Sequence, residues 1–150
     1  MTILLVRHAL AVPRKQWAGD DDRRPLSNRG ARQADALVET FRPYRVDRVY
    51  SSPALRCVKT VEPLAQARGL TPRRVQSLAA SRDAEAIEIV DRAEGVVLCG
   101  HGENLPDLLV ALAGHLTDLP GDPPFAKGAT WALDRRHGKV TAATYLPPPA

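Results

Sequence analysis

Thr2-Ile3-Leu4-Leu5-Val6-Arg7-His8 opens the chain with a short apolar run that ends on two basic side chains. A run this short and this apolar reads as a β-strand covered on both faces, the hallmark of a parallel sheet between helices. The pattern returns at Gly95-Val96-Val97-Leu98-Cys99, followed by Gly100-His101-Gly102. It returns more briefly at Arg48-Val49-Tyr50-Ser51, followed by Ser52-Pro53-Ala54-Leu55-Arg56. Each strand therefore hands over to a histidine or an arginine.

Helical segments alternate with these strands. Ser27 is a helix cap, and Ala34, Leu37, Val38 and Phe41 behind it fall on one helical face, up to the stop at Pro43. Pro53 suits the first turn of a second helix with a Val58, Val61, Ala65 stripe, ended by Gly69. Arg74-Val75 reads as a short strand, residues 84–92 as a third helix, and Leu105–Leu112 as a fourth with Pro106 in its first turn. Ala129–Asp134 and Lys139–Tyr145 read as a hairpin turning through residues 135–138, before a frayed Pro147-Pro148-Pro149 tail. The alternation predicts an α/β fold with a mainly parallel central sheet.

At 150 residues, 44% apolar and 25% charged, the chain suits one globular domain spanning residues 1–150. No apolar run is long enough for a membrane span, and the first strand lacks the basic start of a signal peptide, so the expected location is cytoplasmic. Cys57 and Cys99 form neither a CxxC pair nor a zinc pattern, and are expected as small buried hydrophobes. A net charge of +4 favours an anionic substrate. With 5% aromatics and no basic block interleaved with them, a nucleic-acid polymer is not an expected partner.

In an open α/β sheet, ligands bind beyond the carboxyl ends of the strands. Arg7, His8, Arg56 and His101 would converge there. Two guanidinium forks and two imidazoles make an anion site, and a neutral imidazole can attack phosphorus to form a phosphoenzyme. The helix end near Pro53 and Ala54 is expected to add N–H donors. A cysteine-based phosphatase is excluded, because the sixth residue after Cys99 is Leu105 and after Cys57 is Pro63, where arginine is required. P-loop and Nudix signatures are absent.

Leu4-Leu5-Val6-Arg7-His8-Ala9 resembles the RHG-type motif of the histidine phosphatase superfamily, with Ala9 in place of the usual glycine. Arg24-Pro25-Leu26-Ser27 with Gly30 and Gln33, Ser51-Ser52-Pro53-Ala54-Leu55-Arg56, Gly100-His101 and Lys127-Gly128-Ala129 match in order. The resemblance implies a three-layer α/β/α sandwich and metal-independent, cofactor-free phosphate ester hydrolysis. His8 becomes the phosphorylated nucleophile, and Arg7, Arg56 and His101 the phosphate-binding shell. The chain is most similar to the short SixA-type phosphohistidine phosphatases, which implies a phosphorylated protein as substrate. It also resembles the phosphatase domain fused to MutT-type Nudix hydrolases, which implies a nucleoside diphosphate or another small phosphoester. A phosphoglycerate mutase and a non-catalytic phospho-ligand module are the remaining readings.

One departure stands out. Many family members carry an acidic proton donor where this chain has Ala79 and Ala80; Asp83, Glu85 and Glu103 are the nearest candidates. The Asp20-Asp21-Asp22 run reads as a charge-paired loop beside Arg23 and Arg24. Trp17 either stacks on a base or packs, Arg24 is expected to brace the loop, and Lys127 is a candidate for the pocket rim. His115 and His137 read as surface residues.

Overall fold

The computed structural model describes residues 1–79, 83–90 and 93–150, with only the backbone described at 83 and 84. Six strands form one mixed sheet: β1 (Thr2–Arg7), β2 (Arg48–Ser51), β3 (Arg73–Arg74), β4 (Gly95–Gly100), β5 (Thr130–Arg136) and β6 (Lys139–Leu146). Their order is β3-β2-β4-β1-β5-β6. The first four are mutually parallel, whereas β5 runs antiparallel to β1 and pairs with β6 as a hairpin.

Among the described residues, four α-helices cover the two faces. α1 (Asn28–Thr40) and α2 (Leu55–Ala67) pack Leu37, Cys57, Val61 and Leu64 on Leu4, Val6, Val97 and Cys99. α3 (Asp83–Val90) and α4 (Leu105–Ala113) pack Ala86, Ile89, Leu105 and Leu109 on Ile3, Leu5, Val96 and Leu98. Side chains alternate across a strand, so neighbouring residues of β1 and β4 serve opposite layers. This is the three-layer α/β/α sandwich, and it explains why both strands are apolar throughout.

Local expectations hold with small shifts, except that α2 begins at Leu55 with Ala54 as its N-cap, so Pro53 lies before the first turn rather than in it. The Ser27 side chain accepts from the Gly30 N–H at 3.1 Å and starts α1. Gly69 ends α2 with φ at 68°, in the left-handed region. The hairpin turn narrows to His137-Gly138, both with positive φ, because β5 runs on to Arg136. The end of the expected third helix, at 91–92, lies outside the described residues. The proline tail is not frayed: the Pro149 carbonyl accepts from Gln33 Nε2 at 3.3 Å.

Parallel pairing of β2, β4 and β1 as adjacent strands puts their carboxyl ends side by side. That places Ser52, His101 and His8 at one edge of the sheet. Among the described residues, no helix is long and apolar enough to cross a membrane.

Candidate active site

Arg7, His8, Arg56 and His101 line one cavity of about 560 Å³, together with Leu10, Ala11, Pro13, Arg14, Lys15, Arg24, Glu103 and Lys127. The four residues expected from the sequence are thus brought together. The His8 and His101 rings lie 5.6 Å apart, nearly edge to face.

The backbone fixes His8 from three sides. Its N–H donates to the Gly100 carbonyl at 3.0 Å, its carbonyl accepts from Gly128, and Ala9 donates to Thr60 Oγ1 at 2.9 Å. Its Nδ1 lies 2.8 Å from the Ala9 carbonyl. A carbonyl only accepts, so Nδ1 must carry the proton and Nε2 is left with its lone pair. Burial pushes the His8 pKa down to about 4; the Ala9 hydrogen bond opposes this, and the charges of Arg56, His101 and Arg7 reinforce it. The ring is neutral at physiological pH.

His101 is held through its backbone and through one ring nitrogen. Its backbone N–H donates to Asn104 Oδ1 at 3.0 Å, and Asn104 is anchored by donating to the Leu78 carbonyl at 2.7 Å. Its Nε2 lies 2.8 Å from Ser52 Oγ and 3.6 Å from Cys57 Sγ. Cys57 and Cys99 are both buried and free, as expected, yet Cys57 is more than filler because it touches this ring.

Arg7 donates to the Phe125 carbonyl at 2.7 Å, and Arg56 to the Asp21 carbonyl at 2.8 Å and to its carboxylate at 3.2 Å. The buried Nε groups of both arginines have no hydrogen-bond partner among the described residues. Buried unpaired donors are costly, and both belong to arginines that line the cavity. At the helix end expected to add donors, proline has no N–H and the Ala54 N–H is taken by Ser52 Oγ at 3.3 Å, which leaves the N–H groups of Leu55 and Arg56 in the first turn of α2 as the candidates.

Asp21 is the residue that sequence reasoning undervalued. Within the Asp20–Asp22 run, Asp21 is the charge-paired residue, reaching the expected Arg24 and also Arg56 and Arg14. Slight burial raises its carboxyl; the Arg24 hydrogen bond and the arginine charges outweigh that and hold it below the usual carboxylate range. Arg24 braces the loop, donating to Asp21 at 3.0 Å and to the Val12 carbonyl at 2.8 Å. Trp17 packs, with its Nε1–H on the Asp20 carbonyl at 2.9 Å, and is not among the cavity's lining residues. Lys127, a candidate for the rim, lines the cavity, whereas His115 and His137 are exposed elsewhere.

Of the acid candidates, Glu103 lines the cavity, Glu85 is exposed on α3, and the Asp83 side chain lies outside the described residues, as does Ala80. A hydrogen bond from its own N–H holds the Glu103 carboxyl below the usual range; burial opposes this, and His101, Arg7 and Arg14 add to it. Among the described residues, no group of three His, Cys, Asp or Glu side chains could hold a metal ion.

With that geometry in hand, comparison with known proteins is decisive. A family model, the histidine phosphatase superfamily (branch 1), matches residues 3–82. The chain belongs to this superfamily. It is 33% identical over 156 aligned positions to an 8-oxo-(d)GTP phosphatase of Mycolicibacterium smegmatis, covering 99% of this chain and 48% of that protein. It therefore spans about half the length of that relative. The SixA protein of Agrobacterium tumefaciens superposes with a TM-score of 0.78 at 25% identity, covering 98% of this chain and 97% of that one. A protein histidine phosphatase SixA complexed with tungstate has the same fold, with a TM-score of 0.75 at 19% identity over 97% and 94% of the two chains. These matches extend the phosphoglycerate-mutase-like architecture over nearly the whole chain of this superfamily member.

Proposed function

We propose that the chain is a metal-independent phosphatase in which His8 Nε2 attacks phosphorus and water then hydrolyses the phosphohistidine. The observation that carries this reading is the His8 Nδ1 contact with the Ala9 carbonyl, which leaves Nε2 bare on a neutral ring inside a cationic cavity. A neutral imidazole needs no base to release its electron pair, so nucleophile activation is built into the hydrogen bond. Arg7, Arg56 and His101 stabilise the charge spread over the transferring phosphoryl oxygens. Nδ1 keeps its proton throughout, and the leaving group departs with the electron pair of the broken bond.

Two substrate classes have support. Superfamily members of the SixA kind share the fold end to end, which favours protein phosphohistidine. A concave cavity walled by Leu10, Ala11, Pro13, Arg14 and Lys15 favours a small soluble phosphate compound, and the Mycolicibacterium smegmatis relative is a nucleotide phosphatase by name. The wall makes the small-molecule class the stronger reading. Two buried free thiols suit a cytoplasmic setting.

Rapid quenching with a labelled aryl phosphate tests the mechanism. Acid-labile, base-stable phosphate is expected on His8, and His8→Ala should lose both label and turnover. Near-normal turnover by that variant would overturn the reading.

A further inference from the structure

The cavity is larger than its four central residues require, and its outer part has a charge that they do not explain. Its volume is that of a site for a whole small molecule rather than for one phosphate. Of its basic lining residues, Arg7 is engaged with Phe125, and Arg24 and Arg56 with Asp21. Arg14 has only a 3.7 Å contact with Asp21, already shared between two other arginines. Among the described residues, Lys15 and Lys127 make no hydrogen bond or ion pair. Among the described residues, Glu103 is the one carboxylate lining the cavity. A phosphoryl group held by Arg7, His8, Arg56 and His101 would leave Lys15 and Lys127 without an anion and Arg14 with only its share of Asp21.

The wall that carries Arg14 and Lys15 is fixed in place. Leu10 accepts from the Ser27 N–H at 2.9 Å, and Gln33 Oε1 accepts from Leu10 N–H at 3.1 Å. Val12 donates to the Pro25 carbonyl at 3.0 Å, and Ala11 bridges to Leu26. Asp21 closes the loop back onto the reaction centre through Arg24 and Arg56. A wall fastened at both ends presents its cations without a backbone ordering cost on binding.

We propose that Arg14, Lys15 and Lys127 form an outer anion site that takes a second phosphate of the substrate, held in position by Asp21. The substrate class is then a compound with two linked phosphates, such as a nucleoside diphosphate, whose terminal phosphoryl goes to His8 Nε2. The bridging P–O bond breaks, its electrons leave with the remaining monophosphate, and water later returns His8 to its free form. A phosphohistidine on a protein has no second phosphate for this site. The inference rests on the phosphatase reading for its chemistry, but the site itself can be tested without turnover.

Calorimetric titration in chelator, with methylenediphosphonate and methylphosphonate as non-hydrolysable probes, reads the outer site directly. The bisphosphonate should bind at least tenfold more tightly. Lys15→Ala combined with Lys127→Ala should bring the ratio toward one, as should high salt, because these cations are exposed and screened. Asp21→Asn should narrow the ratio too, by releasing the wall. Equal binding of both probes by the parent chain, or a ratio that survives the double substitution, would overturn the site. A ratio unchanged in Asp21→Asn would overturn the role given to Asp21. Tight bisphosphonate binding by a chain that hydrolyses no phosphate compound would uphold the outer site and refute the phosphatase reading, so the two failures are separable.

Discussion

Gly102→Ala is a substitution that should disable the site while sparing the fold. A Cβ at Gly102 would stand 2.6 Å from Cζ of Arg7, 2.8 Å from Nη2 and 2.9 Å from Nε. Non-bonded carbon contacts settle near ~3.5–4.0 Å, so the guanidinium must retreat by about 1 Å. The backbone is not the obstacle, because Gly102 is not among the glycines with positive φ. Arg7 is the flexible partner, and its retreat strains the 2.7 Å bond to the Phe125 carbonyl, a stability loss of about 0.5–1.5 kcal/mol. The melting temperature should then fall by only a few degrees, roughly 2–4 °C per kcal/mol for a chain of this size. Misplacing one preorganised donor to the transition state typically costs ~10²–10³ in rate. Steady-state kcat/KM with an aryl phosphate, beside a calorimetric melt, separates the two effects. A loss near a hundredfold with a nearly normal melt is expected. A kcat/KM within about threefold of the parent would refute the role assigned to Arg7.

The His8 pKa near 4 lies below the unfolded value of 6.5, so the unfolded chain binds more protons between those pH values and stability falls as pH drops through that window. The loss amounts to roughly 3 kcal/mol and should be missing from the pH-dependent unfolding of His8→Gln. Gly30→Ala drives a Cβ to within 1.8 Å of the Leu10 carbonyl oxygen, and should cost about 1–3 kcal/mol in denaturant unfolding by prising α1 from the cavity wall; a neutral result would mean the two segments separate freely. Chelator and added magnesium should leave turnover unchanged, since guanidinium and imidazole groups supply the positive charge; a chelator-sensitive rate restored by metal would point to a different site. The phosphorylation rate should fall steeply as the leaving-group pKa of aryl phosphates rises, and a flat dependence would reveal a proton donor, to be sought by Glu103→Gln.

Much of this site is legible in the sequence because strand exits are. An apolar run short enough to be a strand, ending in a basic residue, fixes both the position and the direction of Arg7-His8 and Gly100-His101. Parallel pairing of β1, β4 and β2 does the rest. What the sequence conceals are contacts made across the chain by residues with unremarkable local patterns. Asp21 sits in an acidic run whose nearest cation is Arg23, yet its partners lie 7 residues before and up to 35 after it. Gln33 and Gly30 are visible as a motif, but their work, fastening Leu10, appears only once α1 lies against the loop. Ser52 and Cys57 read as a strand end and a core residue until His101 is placed between them.

The charge distribution also bears on which phosphates the site can cleave. General acid catalysis typically contributes 10²–10⁴-fold, and it needs a protonated group near the leaving oxygen. Glu103, the carboxyl that lines this cavity, is held below the usual range by its own N–H and by His101, Arg7 and Arg14. An ionised carboxylate there can orient or activate water in the second step, but it has no proton to give in the first. Among the described lining residues the burden then moves to the substrate, whose leaving group departs without help from Glu103. A phosphohistidine leaves as imidazole and a diphosphate leaves as phosphate, whereas a simple alkyl ester leaves as a poor alkoxide. The cations of the cavity draw in anions, while Glu103, ionised through its own N–H and these charges, favours substrates that need no acid from it. Between the two classes that pass, Lys15, Arg14 and Lys127 discriminate, because only the diphosphate brings an anion to meet them.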